Sequence, residues 1–461
     1  KSSDATRLRI RDFSRGTWFF CCNRVPVGSP TIALDQFSGK HTGCGSIHKM
    51  RRPVALTGRE GTAVKIKNAE KLAALCLAAV MGVSVTACSG GNMYATSNES
   101  ATIADNDVIT IGSVTTNSGA AAAYGEAEVN GFKLAVKEIN ADGGIFGKQI
   151  KLESMDDKGD VIEASNAFNR LAGDKNVIAV LGPTISSTSG AVAPLADQNQ
   201  MPTIAPAATA DSVETGGYLF RTCFKDSYQG EIAAKYAAET LKVKKVAVLY
   251  GTGDPYSSGV GKAFVAAAKK NGLDVVAEEN SSSADDTEYS SQLQKIEASG
   301  AEFLYAPYYY STVGPYIVPQ ARAVGYEGYI MGPDGYDGLK TTGNKANYNK
   351  VLYTTHYSPD DKSNTKVQQF ITSYRKANNG ESPNTFTALG YDSVYMFKRA
   401  IEQAGENATR ADIRNAIAGM SFSGVTGAFT LDKHGSPKKS VIVLEMSDGE
   451  PTYKDTIQPA K

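Results

Sequence analysis

Two segments of the 461-residue chain set several hydroxyls beside backbone N–H groups, a combination suited to holding a small anion. Leu181 to Gly190 (LGPTISSTSG) leaves an apolar run and enters a helical one. Pro202 to Ala210 (PTIAPAATA) is a second strand-then-hydroxyl segment. The first turn of a helix carries N–H groups without intrahelical partners at the positive end of the helix dipole, so a Ser/Thr-rich start there suits a carboxylate. Taken singly, each segment is equally what a capped helix or a plain turn looks like. Covalent and metal chemistry have far less to work with. Beyond residue 88 the histidines are His356 and His434, and Gly-x-Ser-x-Gly, His-Glu-x-x-His and Cys-x-x-Cys patterns are missing. A hydrolytic triad or a zinc site needs a histidine set among partners. Catalytic residues, a metal site and a resident cofactor are therefore not expected. Asp156 to Asp160 (DDKGD) lacks the spacing and terminal Glu of a calcium loop and reads as a solvated turn. Gly251 to Gly259 (GTGDPYSSG) stands where a phosphate loop would, but it has no Lys, and Asp254 would repel a phosphate.

The elements that must position these segments follow from hydrophobic period. Val108 to Gly112, Gln149 to Glu153 and Val177 to Leu181 read as strands. Val129, Phe132, Val136 and Ile139 lie on one helical face, as do Ala164, Phe168 and Leu171. Asn140 to Gly144 stops the first of these helices. The alternation resumes with strands over Lys245 to Tyr250, Asp274 to Ala277 and Glu302 to Tyr305, and helices over Val260 to Lys270 and Tyr289 to Ala298. Strand and helix in turn predict an α/β chain, its parallel sheets covered on both faces, with enough strands for two doubly wound lobes. Ligands in such sheets meet the loops at the strands' C-terminal ends. Near the end, Thr426 to Asp432 and Ser440 to Glu445 read as strands joined by a turn at Lys433 to Pro437. Hydrophobic residues make up 41%, charged residues 21%, and net charge is +0, which argues against a nucleic-acid partner.

The N-terminal part carries a different message. Lys65, Lys67 and Lys71 precede an uncharged apolar run, Leu72 to Val85, which is shorter than the ~20 residues that span a bilayer. Val85-Thr86-Ala87-Cys88 then looks like a bacterial lipobox, with a signal peptide over 64–87 and lipidation at Cys88. The Ser-, Asn- and Gly-rich stretch over 88–106 reads as a lipidated flexible tether. Residues 1–63 show no sustained period and are expected to lie upstream of a true start near Val64 or Met50. Of six cysteines only Cys223 falls beyond Cys88, so no intrachain disulfide is expected in the body. The expected location is extracytoplasmic, lipid-anchored to a bacterial cell membrane.

Several motifs occur together in order: Gly112 with Ala123-Tyr124-Gly125, Asn130-Gly131, INADGGIFGK over 139–148, Gly182-Pro183 to Ser189, and Pro206-Ala207-Ala208-Thr209. Phe220-Arg221-Thr222, DSYQG over 226–230, QARAVG over 320–325 and MGPDG over 331–335 follow. Over 107–446 the chain resembles the branched-chain amino-acid-binding receptors of ABC importers, with the type I periplasmic-binding-protein fold. The resemblance implies two lobes closing on a ligand and joined by three crossings, near Lys225-Asp226, Tyr357-Ser358 and Lys433 to Gly435. The N-terminal lobe would hold 107–226 plus 358–434, the C-terminal lobe 227–357 plus 435–461. It also implies that Ser187 or Ser186 and Thr209 meet the ligand's carboxylate, with backbone groups from Ala207. Tyr256 and one of Tyr308 or Tyr309 would contact the ligand from the second lobe. Asp334 would pair the ammonium, at a position where the family typically has the longer Glu. Tyr124, Tyr308, Tyr309 and Tyr336 are candidates for the side-chain wall. The implied function is capture of an amino acid, branched-chain foremost, by a monomer that delivers it to an ABC permease without catalysis. Amides or other small polar solutes are alternative ligands. A ligand sensor signalling to a membrane partner, or an enzyme with a cofactor on the Gly251 to Gly259 loop, are the competing readings.

Overall fold

The computed structural model describes residues 102–213, 215–360 and 365–459. The expected signal peptide and Cys88 lie outside the described residues. Two sheets organise the rest. The first has the parallel order β2-β1-β3-β4-β5, from β1 (Val108–Thr115), β2 (Gln149–Asp156), β3 (Val177–Leu181), β4 (Thr203–Ala205) and β5 (Leu219–Arg221). All five residues of β3 are buried, as expected of a strand covered on both faces. Helices α1 (Ala122–Ala141), α2 (Val161–Gly173) and α3 (Ser186–Gln198) connect its strands.

The second sheet has the order β14-β13-β10-β9-β8-β6-β7. Its parallel part is β6 (Lys245–Gly251), β7 (Asp274–Ser281), β8 (Phe303–Tyr305), β9 (Tyr329–Gly332) and β10 (Val351–Thr355). Helices α4 (Asp226–Lys235), α5 (Pro255–Lys270) and α6 (Ser290–Ala298) belong to this lobe, with the short α7 (Tyr310–Thr312) and α8 (Val318–Ala323). After β10 the chain returns to the first lobe as α9 (Thr365–Ala377), α10 (Thr385–Ala404) and α11 (Arg410–Ile417), and α10 lies along α1. A hairpin of β11 (Ser421–Gly424) and β12 (Gly427–Thr430) follows. Then β13 (Val441–Ser447) and β14 (Glu450–Ile457) close the second sheet antiparallel.

Glycine sets the α1–α10 spacing. A Cβ on Gly131 would lie 2.2 Å from the Thr387 carbonyl oxygen, and one on Gly390 2.6 Å from that of Glu128. Ala is better than Gly in a helix by ~1 kcal/mol, but the overpacking here outweighs it. Gly131→Ala is expected to destabilise the protein by about 1–3 kcal/mol net, read as a lower denaturation midpoint. An unchanged or raised midpoint would show that the helices can move apart at no cost.

Four sequence expectations differ from the structure. The 426–432 strand pairs back onto Ser421–Gly424 rather than forward onto Val441–Ser447. β14 was not expected, because its polar residues (EPTYKDTI) carry no period and most are exposed at the sheet edge. The tether ends earlier than 106: Ile103 is buried in the first lobe's core, and the Asp105 carboxylate accepts hydrogen bonds from the Thr102 N–H and hydroxyl. The Asp156 to Asp160 turn is not simply solvated, since Asp157 is buried and accepts from the Thr116 hydroxyl at 2.6 Å.

Cys223 is buried beside the first passage between lobes, where burial pushes its thiol up to about 12. Thiolate is the reactive form, so the native protein is expected to resist alkylation by iodoacetamide at pH 7, and unfolding to expose the thiol. Rapid labelling of the folded protein would contradict this.

Candidate ligand site

The first lobe's contribution begins where β3 ends. Gly182 has φ +100°, and a Cβ there would sit 1.9 Å from the Val114 carbonyl oxygen, so glycine alone permits the turn into α3. Thr184, Ile185 and Ser186 then face a cavity between the lobes. The buried Ser186 hydroxyl accepts from the Ala210 N–H at 3.1 Å, which fastens the two hydroxyl-rich segments together. Ala207, from the second segment, also lines the cavity. Thr209 is buried and its Oγ1 has no hydrogen-bond partner among the described residues. Its carbonyl accepts from the Asp226 N–H at 3.0 Å. Both Asp226 carboxylate oxygens are likewise without a bond, and burial raises that carboxyl well above the usual range. The nearby Thr209 hydroxyl opposes that rise. Ser187 is half-buried and lies at the outer mouth, near Lys158 and Asp254, rather than in the cavity.

The second lobe supplies Asp334, just past β9 and buried. Its Oδ1 accepts from Gln229 Nε2 and the Tyr256 hydroxyl, each at 3.0 Å, and its Oδ2 lies 3.0 Å from His356 Nε2. Burial lowers the His356 imidazole to about 4, against the opposing hydrogen bond from Asp334. The ring is therefore neutral at pH 7, and only the Nε2–H tautomer can donate to a carboxylate. The Asp334 N–H donates to Gln229 Oε1 at 3.0 Å, and the Gly335 N–H to the Tyr256 hydroxyl at 2.7 Å. Three donors thus hold one carboxylate, leaving roughly one of its four acceptor positions open.

Aromatic rings make the remaining walls. Tyr256 and Tyr309 stack at 5.3 Å and 12°, and Tyr124 lies 4.1 Å from Phe386, centroid to centroid. The Tyr309 hydroxyl donates to Asp254 Oδ2 at 3.1 Å. The Tyr124 hydroxyl, from the first lobe, donates to the Gly335 carbonyl at 2.5 Å and accepts from the Tyr310 N–H at 3.3 Å, both in the second lobe. The space left between these groups is about 20 Å³, room for about one water, so the lobes must part or the walls shift to admit an amino acid. A wider groove between α9, α10 and the β11–β12 hairpin, about 680 Å³, is lined by surface charges such as Lys366, Lys398 and Glu402. It is open to solvent and lacks the convergence of groups seen between the lobes.

Of the sequence candidates, Ser186, Ala207, Tyr124, Tyr256, Tyr309 and Asp334 meet at this cavity, and Thr209 stands behind it. Tyr308 and Tyr336 do not. Tyr308 is fully buried within the second lobe with its hydroxyl 2.8 Å from Ser281, and the buried Tyr336 donates to the Ala306 carbonyl at 2.7 Å. Sequence reasoning missed Thr184, Ile185, Gly335 and Phe386 on the walls, and Gln229 and His356 behind Asp334. It also missed the buried Glu128, whose Oε2 lies 2.6 Å from the Thr184 hydroxyl. Glu128 carried a readable signal: a charge one helical turn before Phe132 on the apolar face of α1.

Two doubly wound lobes, crossed by the chain after β5, β10 and β12 and enclosing a small polar and aromatic cavity, define a solute receptor that holds its ligand between halves. Residues 108–451 match the periplasmic binding protein family, and the chain belongs to it. An amino acid binding protein of Pseudomonas aeruginosa is 31% identical over 75% of this chain and 91% of its own length. The Leu/Ile/Val-binding protein of Escherichia coli K12 is 27% identical over 70% and 86%. A branched-chain amino acid transporter substrate binding protein from Streptococcus pneumoniae, solved with isoleucine, is 33% identical with a TM-score of 0.70, covering 76% of this chain and all of that one. The family is one of binding receptors, and the chain is a receptor rather than an enzyme.

Proposed function

We propose that this chain captures a zwitterionic amino acid, a branched-chain one foremost, and passes it to an ABC permease. One observation carries the reading: the two ends of a single small cavity favour opposite charges. The α3 N-terminus with Thr184 and Ser186 suits a carboxylate, and Asp334 opposite suits an ammonium. The aromatic and aliphatic surface between them suits a short apolar side chain. Ligand contacts from both lobes favour the closed arrangement, so capture is a population shift toward it. Calorimetric titration with leucine, isoleucine and valine should give saturable one-to-one binding. No heat and no thermal shift with any amino acid would exclude the proposal.

The receptor works outside the cytoplasm on a lipid attached at Cys88, a reading supported by the Val85-Thr86-Ala87-Cys88 sequence after an apolar run. Cys88→Ala is expected to move the protein from the membrane fraction to the soluble fraction, or to leave an uncleaved precursor. Membrane retention of a processed Cys88→Ala protein would refute the lipid anchor.

A further inference from the structure

Glu128 is fully buried on α1, behind the wall of the cavity. Its Oε2 lies 2.6 Å from the Thr184 hydroxyl, which lines the cavity. Thr184 Oγ1 also accepts from the Thr116 N–H at 3.2 Å. The Glu128 Oε1 has no hydrogen-bond partner among the described residues.

Hydrogen-bond capacity limits what this group of atoms can do. A threonine hydroxyl has one donor and two acceptor positions, and an ionised carboxylate only accepts. If Glu128 is ionised, Thr184 must spend its hydrogen on Oε2 and turns a lone pair toward the cavity. If Glu128 is neutral with its proton on Oε2, it donates to Thr184. Thr184 then accepts twice, from Glu128 and from the Thr116 N–H, and its own hydrogen is free to point at a ligand. A proton on Oε1 instead would leave a buried O–H with no acceptor, which is costly. A lone pair repels a carboxylate and a hydrogen attracts it, so the state of a side chain that never touches the ligand sets the polarity of the wall.

The surroundings favour the neutral acid. Burial raises the Glu128 carboxyl to about 8, and Asp157, on the loop after β2, adds to the rise while Thr184 opposes it. Asp157 is buried too, its Oδ1 held by the Thr116 hydroxyl and the Gly159 N–H. The groups facing Glu128 are thus Thr184 from the loop after β3, Thr116 from the end of β1 and Asp157 after β2. From α10 comes the Gly390 backbone, which adds no charge.

We propose that Glu128 is a positioning residue for the ligand's carboxylate: as a neutral acid it donates to Thr184, directs the Thr184 hydrogen into the cavity, and thereby couples capture to one proton held on Glu128. The inference rests on the reading that the carboxylate meets the 184–186 segment. The sign follows directly. The complex keeps the proton, while the free protein releases it as pH rises through the free-state pKa, so affinity is full below that value and falls about tenfold per pH unit above it.

Isoleucine titrations from pH 6.5 to 9 of the wild type, Glu128→Gln and Glu128→Ala test this. Glu128→Gln cannot titrate but can donate through Nε2, so its affinity should fall only as far as deprotonation of isoleucine's own amine requires. The wild type should fall by a further factor of about five between pH 8 and pH 9. At pH 7, Glu128→Gln should bind at least tenfold more tightly than Glu128→Ala. Thr184→Val removes the relay and should abolish the proton uptake that the wild type shows at pH 8 when heats are compared in buffers of different ionisation enthalpy. Isoleucine binding with parallel pH profiles in wild type and Glu128→Gln would overturn the proposal and leave the receptor function standing. So would proton uptake undiminished in Thr184→Val. Absence of amino-acid binding at every pH would remove the functional reading and the proposal together. An infrared carboxyl band absent from wild type at pH 7, where Glu128→Gln serves as the blank, would overturn the proposal without reference to any ligand.

Discussion

Asp334→Asn is expected to weaken amino-acid binding by two to three orders of magnitude while leaving the ligand-free protein folded. Removing one partner of a buried ion pair costs about 3–5 kcal/mol, and each 1.4 kcal/mol is a factor of ten. The fold should survive because the neighbours can adapt. An Asn Oδ1 still accepts from Gln229 and Tyr256. His356, neutral at pH 7, can shift its proton to Nδ1 and accept from the Asn Nδ2, at a cost of about 1–3 kcal/mol because Nδ1 has no acceptor among the described residues. Calorimetry with isoleucine reads the affinity, and thermal denaturation without ligand reads the fold. A loss of less than fivefold in affinity would mean that the ammonium lies elsewhere.

Tyr124→Phe should lower affinity by about 10–100-fold, nearly all of it through faster release. The Tyr124 hydroxyl bonds the Gly335 carbonyl and the Tyr310 N–H across the cleft. Once the lobes separate, water satisfies those groups. When they close on Phe, one acceptor and one donor are buried without partners, at about 1–3 kcal/mol for each such group as an upper range. The ring itself stays, so stacking on Phe386 and the shape of the side-chain wall are retained. Stopped-flow traces should show an on-rate within about threefold of wild type and a raised off-rate, as is general when interface contacts are lost. A slowed on-rate with unchanged release would instead make Tyr124 an element of the encounter.

The alternation of strand and helix was readable because a strand such as Val177–Leu181 is apolar throughout and a helix such as Val161–Gly173 keeps its apolar residues on one face. The two hydroxyl-rich segments and Asp334 were readable because each sits where a strand gives out and a loop begins, which is where open α/β sheets expose their functional groups. The tyrosine trio at 308–310 was not. After β8 ends at Tyr305 the strand's twofold alternation no longer fixes direction. Tyr308 turns into the lobe toward Ser281, while Tyr309 turns to the cleft and stacks on Tyr256. Ser187 could not be told from Ser186, since both lie in the first turn of α3 and only their rotation about its axis separates cavity from mouth. Phe386 reaches the wall from a helix far along the chain, on the return passage after β10, and no local pattern marks it. β14 fails for the opposite reason: an exposed edge strand needs no apolar period, so its sequence displays none.

The central idea is a single zwitterion spanning two hinged halves, and a crystal structure of the protein with isoleucine tests it most directly. The carboxylate should lie within hydrogen-bond distance of the Thr184 and Ser186 segment, the ammonium against Asp334, and the side chain among Tyr124, Tyr256, Tyr309 and Phe386. An isoleucine bound in reverse, or one resting on a single lobe and away from Asp334, would contradict it.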